Sequence, residues 1–90
     1  MFEITEVRVT RFEEPKNSVK GLATITLDGS FVVRGIQILE HEGKRFVGFP
    51  SRRTESEDPE KKYVDIAFPC TREAREYITD EVFKKFDEVE

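Results

Sequence analysis

Apolar and polar residues alternate along most of the first 69 positions, which is the pattern of strands that bury one face. In the first such segment Val7 and Val9 lie on one face, and charged or hydroxyl residues lie on the other. A second segment places Ala23, Ile25 and Leu27 together in the same way. We predict five strands, over residues 5–11, 20–27, 30–39, 46–49 and 63–68.

Two glycines indicate the local geometry of these strands. Asp28-Gly29 lies between two strand-like segments, and this dipeptide favours a two-residue type I′ hairpin because both central residues need a positive φ. In the third segment the apolar positions change parity at Gly35, with Val33 before it and Ile36 after it. A glycine at such a change predicts a β-bulge.

One helix is predicted after Pro69. From there to the C-terminus, apolar residues recur every four positions and form a single stripe with charged residues opposite. Thr71 is placed to cap the helix N-terminus. The stripe consists of Ala74, Ile78, Val82 and Phe86. The order of elements predicts an α+β fold, an antiparallel β-sheet meander of about five strands with one C-terminal α-helix, in a single domain over residues 1–90.

The composition predicts a small core. The 90 residues are 37% hydrophobic and 38% charged, and a domain of this size buries only about 60–65% of its unfolded surface. Phe31, Val32 and Val33 are contiguous, so the third strand is apolar on both faces there, and one helix cannot cover both. An open sheet also has unpaired edges. We therefore expect a homodimer.

Several classes of protein are excluded by the composition. Cys70 is the only cysteine, so the chain cannot form an internal disulfide. Together with His41, the only histidine, it cannot complete a structural zinc site. No run of about 18 apolar residues is present, and the N-terminus lacks the pattern of a signal peptide. We expect a cytoplasmic protein with no membrane insertion and no cofactor.

Candidate catalytic groups are few. His41 lies in a polar turn between Glu40 and Glu42, where a solvated side chain is the simplest interpretation. General-base catalysis needs a partner that orients the base inside a pocket. The sequence contains no recognisable nucleophile–base pair and no glycine-rich phosphate loop. We therefore expect that the protein is not an enzyme.

Basic residues gather at the two ends of a polar loop over residues 51–62 and on the first turns of the helix. If the loop closes a hairpin, its two ends converge and form a patch that binds phosphates. The alternative is an ordinary solvated hairpin whose basic groups pair with the acids of the same loop. The basic residues are Arg52, Arg53, Lys61, Lys62, Arg72 and Arg75.

The distribution of charge leaves the phosphate interpretation open despite a formal net charge of −4. Residues 76–90 contain two lysines and six acidic residues, so the whole net charge lies there. The remaining chain is neutral overall, with 13 basic and 13 acidic residues. An acidic average therefore does not exclude a locally basic surface.

Four segments, in their order and spacing, resemble the stage V sporulation protein G (SpoVG) family. The segments are residues 25–28 (ITLD), 31–33 (FVV), 46–53 (FVGFPSRR) and 65–69 (DIAFP). The first strand also fits that family, so the resemblance covers nearly the whole chain. It implies a small bacterial β-sheet protein with one C-terminal helix that acts as a dimer.

The resemblance also implies a function. Members of the family are site-selective DNA- and RNA-binding regulators associated with septation and sporulation. By position, Ser51, Arg52 and Arg53 match the family's Pro-Ser-basic-basic segment, and Arg75 matches an arginine near its helix start. Arg72 is an addition in this sequence. The implied nucleic-acid-binding residues are thus Ser51, Arg52, Arg53 and Arg75, with Arg72 beside them.

Two functions from different classes follow. The first is a dimeric regulator that binds DNA or RNA and is linked to cell division, septation and sporulation. The second is a protein-interaction module in septum formation, which contacts division-machinery or regulatory proteins and binds no nucleic acid.

Overall fold

A four-stranded sheet with one helix across it forms the main body of the chain, which we describe from a computed structural model. The structure describes residues 1–13, 18–55, 57–58 and 62–89. The elements are β1 (Ile4–Arg11), β2 (Val19–Leu27), β3 (Phe31–His41), β4 (Lys44–Gly48), β5 (Ser51–Arg53), β6 (Tyr63–Asp65) and α1 (Arg72–Glu88). Strands β1 to β4 form an antiparallel meander in that order, while β5 and β6 pair separately. The predicted α+β class is confirmed.

The hairpin between β2 and β3 has the predicted turn. Asp28 and Gly29 have φ values of 52° and 63°, the positive values that a type I′ turn requires of both central residues. The amide of Ser30 donates to the carbonyl of Leu27 at 3.0 Å and closes the turn.

The predicted bulge in β3 is confirmed and keeps the apolar residues on one face. Ala23 pairs with Ile36 and Ile25 pairs with Val33, so one residue of β2 opposes two residues of β3. Gly35 has a φ of 80°, a value that glycine adopts without steric cost. Because of the extra residue, Val33 and Ile36 both pack against the core although their sequence parity differs.

The helix buries the predicted stripe. Thr71 is the N-cap, and its Oγ1 accepts a hydrogen bond from the amide of Ala74 at 3.1 Å. The buried helix residues are Ala74, Ile78, Val82 and Phe86, and the sheet contributes Ala23, Ile25, Ile36 and Ile38. In the described part of the chain, no helix is long and apolar enough to cross a membrane.

Two arginines hold the C-terminal end of α1. Arg11, on edge strand β1, donates to the carbonyls of Phe86 and Val89 at 2.7 and 3.0 Å, and its guanidinium lies 3.9 Å from the Phe86 ring centroid. Arg45, on edge strand β4, binds Asp87 at 2.7 Å. The last carbonyls of a helix lack intrahelical partners and carry partial negative charge, so cations are stabilising there. We call Arg11 and Arg45 the arginine clamp.

The structure corrects the prediction of a fifth strand over residues 63–68. That strand ends at Asp65 and belongs to a separate two-stranded sheet with β5, a segment that we expected to be loop. The amides of Ile66 and Ala67 both converge on the carbonyl of Pro50, at 2.7 and 3.4 Å, where regular pairing stops. Residues 14–17, between the first two predicted strands, and Lys61 lie outside the described residues.

One prediction concerns the tight packing around Gly21, between the backbone of β1 and the helix residue Phe86. A Cβ at position 21 would lie 2.5 Å from the carbonyl oxygen of Thr10 and 3.3 Å from the Phe86 ring. Overpacking of this kind typically costs about 1–3 kcal/mol. We therefore expect Gly21→Ala to lower the free energy of unfolding by that amount in chemical denaturation.

Gly48→Ala is the matched control for this variant. Its Cβ would meet the flexible end of Leu39 at 3.0 Å, and that methyl group can move away. We expect a change of no more than about 0.5 kcal/mol, the range of most substitutions away from the core. Equal losses for the two alanine variants would contradict the close approach of the Thr10 carbonyl and the Phe86 ring to Gly21.

A second prediction concerns the ion pair of the arginine clamp. The hydrogen bond from Arg45 holds the pKa of Asp87 below its ordinary value. Because the folded pKa is depressed, the stabilisation from this pair is complete above the ordinary carboxyl pKa. It disappears as the pH falls through the folded value. We expect an NMR titration of the Asp87 carboxyl carbon to show this low midpoint.

Arg45→Gln should return the Asp87 midpoint towards the ordinary range, since it removes the main cause of the shift. Arg34→Gln removes the same charge from an exposed position of β3 and should leave the midpoint unchanged. If the titration midpoint of Asp87 is the same in Arg45→Gln as in the parent protein, the ion pair does not form in solution.

Candidate nucleic-acid interface

The two ends of the polar loop converge in a two-stranded ribbon, which we define as β5 and β6. Arg52 pairs with Val64 and Arg53 pairs with Tyr63. The amide of Thr54 donates to the carbonyl of Lys62 at 2.7 Å, which extends the pairing by one step. The predicted convergence of Arg52 and Arg53 with Lys62 is therefore confirmed, whereas Lys61 lies outside the described residues.

The ribbon separates the two arginines that the sequence places together. Successive side chains of a strand point to opposite faces, so Arg52 and Arg53 do not share a face. We call the face that carries Arg52, Lys62 and Val64 the basic face. The opposite one, the tyrosine face, carries Ser51, Arg53, Tyr63 and Asp65.

The two helix arginines have different surroundings. Arg72 binds Glu76 one turn later, with 3.0 Å between Nε and Oε1. Arg75 lies over the Phe49 ring, 5.5 Å from its centroid. Because Phe49 is separated from Ser51 only by Pro50, Arg75 lies beside the base of the ribbon. The structure thus places Arg75 beside the base of the ribbon and pairs Arg72 with a carboxylate of its own helix.

The ribbon cations are exposed and are not neutralised by acids within residues 1–13, 18–55, 57–58 and 62–89. No ion pair of that part of the chain involves Arg52, Arg53 or Lys62. The N-terminus of α1 contributes further positive potential, since its amides carry the positive end of the helix dipole. The ribbon therefore presents Arg52, Arg53 and Lys62 to solvent without an ion pair to another described residue.

Asp87 and Glu88, near the end of the helix, lie far from the surface formed by the ribbon and the start of the helix, whereas Glu76 is paired with Arg72 within it. From Arg72 to Asp87 the helix rises by about 22 Å, at roughly 1.5 Å per residue. At physiological ionic strength the Debye length is about 8 Å, so charges at that separation are largely screened. Asp87 is also paired with Arg45. The net charge of the chain therefore reports little about the potential at the ribbon.

An apolar surface adjoins the base of the ribbon. The side chains of Phe31, Ile66 and Phe68 are 64%, 64% and 57% exposed. Phe31 and Phe68 line a pocket of about 210 Å³ that reaches core residues such as Ile25 and Ile36. Exposed aromatic side chains beside an apolar pocket commonly mark an interaction site. We call Phe31, Ile66 and Phe68 the apolar rim.

Groups that could carry covalent or metal chemistry are not gathered at this surface. His41 lies in the turn between β3 and β4, 3.8 Å from Glu42 and exposed. Cys70 is also exposed, next to the N-cap. The described residues contain no group of three or more His, Cys, Asp or Glu side chains that could hold a metal ion. The arrangement provides cations and exposed rings, which suit the binding of a polyanion.

One residue of this surface was missed by sequence reasoning. Tyr63 begins the predicted strand over residues 63–68, where Val64, Ile66 and Phe68 share a face, and this pattern assigns no role to its ring. The pairing of Arg53 with Tyr63 becomes visible only when β5 and β6 are in register. The nearest signal in the sequence is the aromatic residue directly after Lys62 at the end of the polar loop.

Comparison with known proteins identifies the family. The SpoVG family model matches residues 2–88. A protein of Archaeoglobus fulgidus is 39% identical over 90 residues, which is the full length of both chains. Proteins of Staphylococcus aureus and Caldicellulosiruptor bescii are 34% and 32% identical, over 98% and 97% of this chain and 83% and 93% of theirs. All three have the name "Putative septation protein SpoVG". The chain belongs to the SpoVG family.

Proposed function

We propose that this protein is a dimeric regulator that binds DNA or RNA through the ribbon and the start of α1, and that it acts in the cytoplasm in the control of septation. The link to septation comes from the names of its relatives. The observation that carries the binding proposal is the ribbon, where exposed arginines lie outside the ion pairs of the described residues.

Phosphate binding follows from the chemistry of these side chains. Arg52, Arg53 and Lys62 project from a short ribbon into solvent, and Arg75 lies at its base. Each phosphate that such a cation neutralises releases condensed counterions, which supplies most of the affinity in non-specific binding. Contacts of this kind position the protein on nucleic acid without reading its sequence. The protein acts by binding and not by catalysis.

The homodimer is proposed to form through the apolar rim. A two-fold axis brings the same surface of both copies together. Here that surface has an exposed Phe68 ring and an apolar pocket beside it. Each copy therefore presents an aromatic ring and a pocket that can accept a ring of its partner. Burying Phe31 and Phe68 removes large aromatic area from water. The dimer also doubles the number of ribbons available to one nucleic acid.

A second candidate function has its own support. The sheet face opposite the helix is uncovered and exposes Leu22, Val32 and Phe46. A protein partner from the division machinery could cover that face without any nucleic acid. This is the alternative to adopt if the protein binds neither DNA nor RNA.

The binding proposal predicts a specific dependence on salt. In mobility-shift or anisotropy titrations with duplex DNA, four to six neutralised phosphates per dimer give a slope of log K against log salt of about −3.5 to −5.5. The double variant Arg52→Ala/Arg53→Ala should bind more weakly. Its slope should be shallower by about 0.9 for each phosphate contact that is lost.

The control for this experiment is Arg34→Ala/Lys44→Ala, which removes the same charge from exposed positions of β3 and β4. We expect this control to bind like the parent protein with the same slope. Equal affinities and slopes for the ribbon variant, the control and the parent would show that the ribbon does not contact phosphates.

The dimer proposal is tested by the mass in solution. Light scattering should give about 21 kDa for the parent protein, twice the chain mass of 10.5 kDa. Phe31→Ser/Phe68→Ser should give 10.5 kDa, because it replaces both rings of the rim. Phe46→Ser removes an exposed ring from the other sheet face and should stay dimeric. A monomeric parent protein at micromolar concentration would contradict the proposal.

A further inference from the structure

We infer that the tyrosine face of the ribbon binds single-stranded nucleic acid, with an unpaired base stacked on Tyr63 and a neighbouring phosphate bound by Arg53. This inference rests on the proposed function and names the form of nucleic acid that the site takes. Its evidence is the register of β5 and β6, the exposure of Tyr63 and the charges that share its face.

The register brings Arg53 and Tyr63 as close as two cross-strand neighbours can be. The bonds from Thr54 to Lys62 and from Ile66 to Pro50, both 2.7 Å, mark hydrogen-bonded steps of the ladder. Hydrogen-bonded pairs alternate with non-hydrogen-bonded pairs, so the Arg53–Tyr63 pair is of the second kind. In such pairs the Cα atoms are about 4.5 Å apart and the side chains lie closest.

The ring of Tyr63 is available to a ligand, whereas the other tyrosine is used by the fold. Tyr63 is 61% exposed and lies in a ribbon outside the core. Tyr77 stacks on Phe2 with 6.0 Å between ring centroids, and its hydroxyl accepts a hydrogen bond from the amide of Ile4. An exposed ring beside a cation is the combination that binds single strands, because the ring stacks on a base and the cation holds the backbone.

Duplex nucleic acid cannot use this ring in the same way. The faces of its bases are already stacked on one another, so only the grooves and the backbone are accessible. The basic face, with Arg52 and Lys62, can bind the backbone of either form. Stacking on Tyr63 therefore adds affinity for single strands alone, whereas Arg53 can contact the backbone of either form.

A carboxylate on the same face opposes phosphate binding. Asp65 lies on the tyrosine face next to Ser51, at the base of the ribbon. Its negative charge repels phosphate, so a bound backbone lies against Arg53 and not against Asp65. Asp65→Asn should accordingly tighten the binding of single strands.

Tyrosine fluorescence provides a direct test. The protein has two tyrosines and no tryptophan. Stacking of a base on Tyr63 should therefore quench a large part of the tyrosine fluorescence of the protein. The probes are an oligothymidylate, an oligouridylate of equal length and a DNA duplex of that length. We expect both single strands to quench the emission and the duplex to leave it nearly unchanged.

Variants separate stacking from phosphate contact. Tyr63→Ala should weaken single-strand binding by about 5- to 150-fold, the range that loss of one base–aromatic stack produces. Its affinity for the duplex should not change. Tyr63→Phe should bind single strands like the parent protein but lose the quenching, because it keeps the ring and removes the tyrosine fluorescence at that position. Phe46→Ala, which removes another exposed ring, should bind and quench like the parent protein. Thermal unfolding by circular dichroism checks that each variant is folded.

The outcomes distinguish this inference from the proposed function. In one outcome, the duplex binds as expected while Tyr63→Ala weakens the binding of duplex and single strands equally, or weakens neither. Either result would show that the stacking site is wrong and that the ribbon is a phosphate site only. Quenching by oligouridylate but not by oligothymidylate would restrict the inference to RNA and overturn it for DNA. If none of the three probes binds, the inference and the proposed function both fail.

Discussion

The burial of one helix stripe against one face of a four-stranded sheet is the constraint on which the remaining structure depends. Val82 and Ile36 have no exposed surface, and Ile25 and Ile38 have almost none. The chain has a single helix among its described residues, so only one sheet face can be covered. This face must therefore collect the apolar residues of all four strands. The bulge at Gly35 makes this possible, because without it Ile36 and Ile38 would point away from Val33.

The same contact fixes both ends of the helix and thereby positions the candidate site. At the C-terminal end the arginine clamp ties the last turn to both edge strands. At the N-terminal end Arg75 lies over Phe49, the last residue before the chain leaves the main sheet at Pro50. The ribbon therefore starts next to the helix N-terminus and projects from the body. Its side chains do not contribute to the core, so their sequence is free to serve binding.

Local patterns predicted the parts of this fold that depend on neighbouring residues. The Asp28-Gly29 hairpin, the bulge at Gly35 and the Thr71 cap each need only a few adjacent positions, and all three are confirmed. The arginine clamp was not predictable, because its contacts are distant in sequence. Arg11 contacts residues that lie 75 and 78 positions further along the chain, and Arg45 contacts one that lies 42 positions further along. Strand β5 was missed for a different reason. Its three residues are polar and exposed on both faces, so no alternation of hydrophobicity marks it.

The candidate site was predicted in composition but not in geometry. The sequence brings Arg52 and Arg53 together as one basic pair, and the ribbon turns them to opposite faces. This separation gives the two faces different chemistry. One face combines two cations with Val64, while the other combines one cation with an exposed ring and a carboxylate. A basic patch alone attracts any polyanion through its charge, so it selects weakly among nucleic acids. In our proposal the face that pairs Arg53 with Tyr63 also requires an unpaired base, so the ribbon would discriminate single strands from duplexes, which the number of its arginines does not reveal.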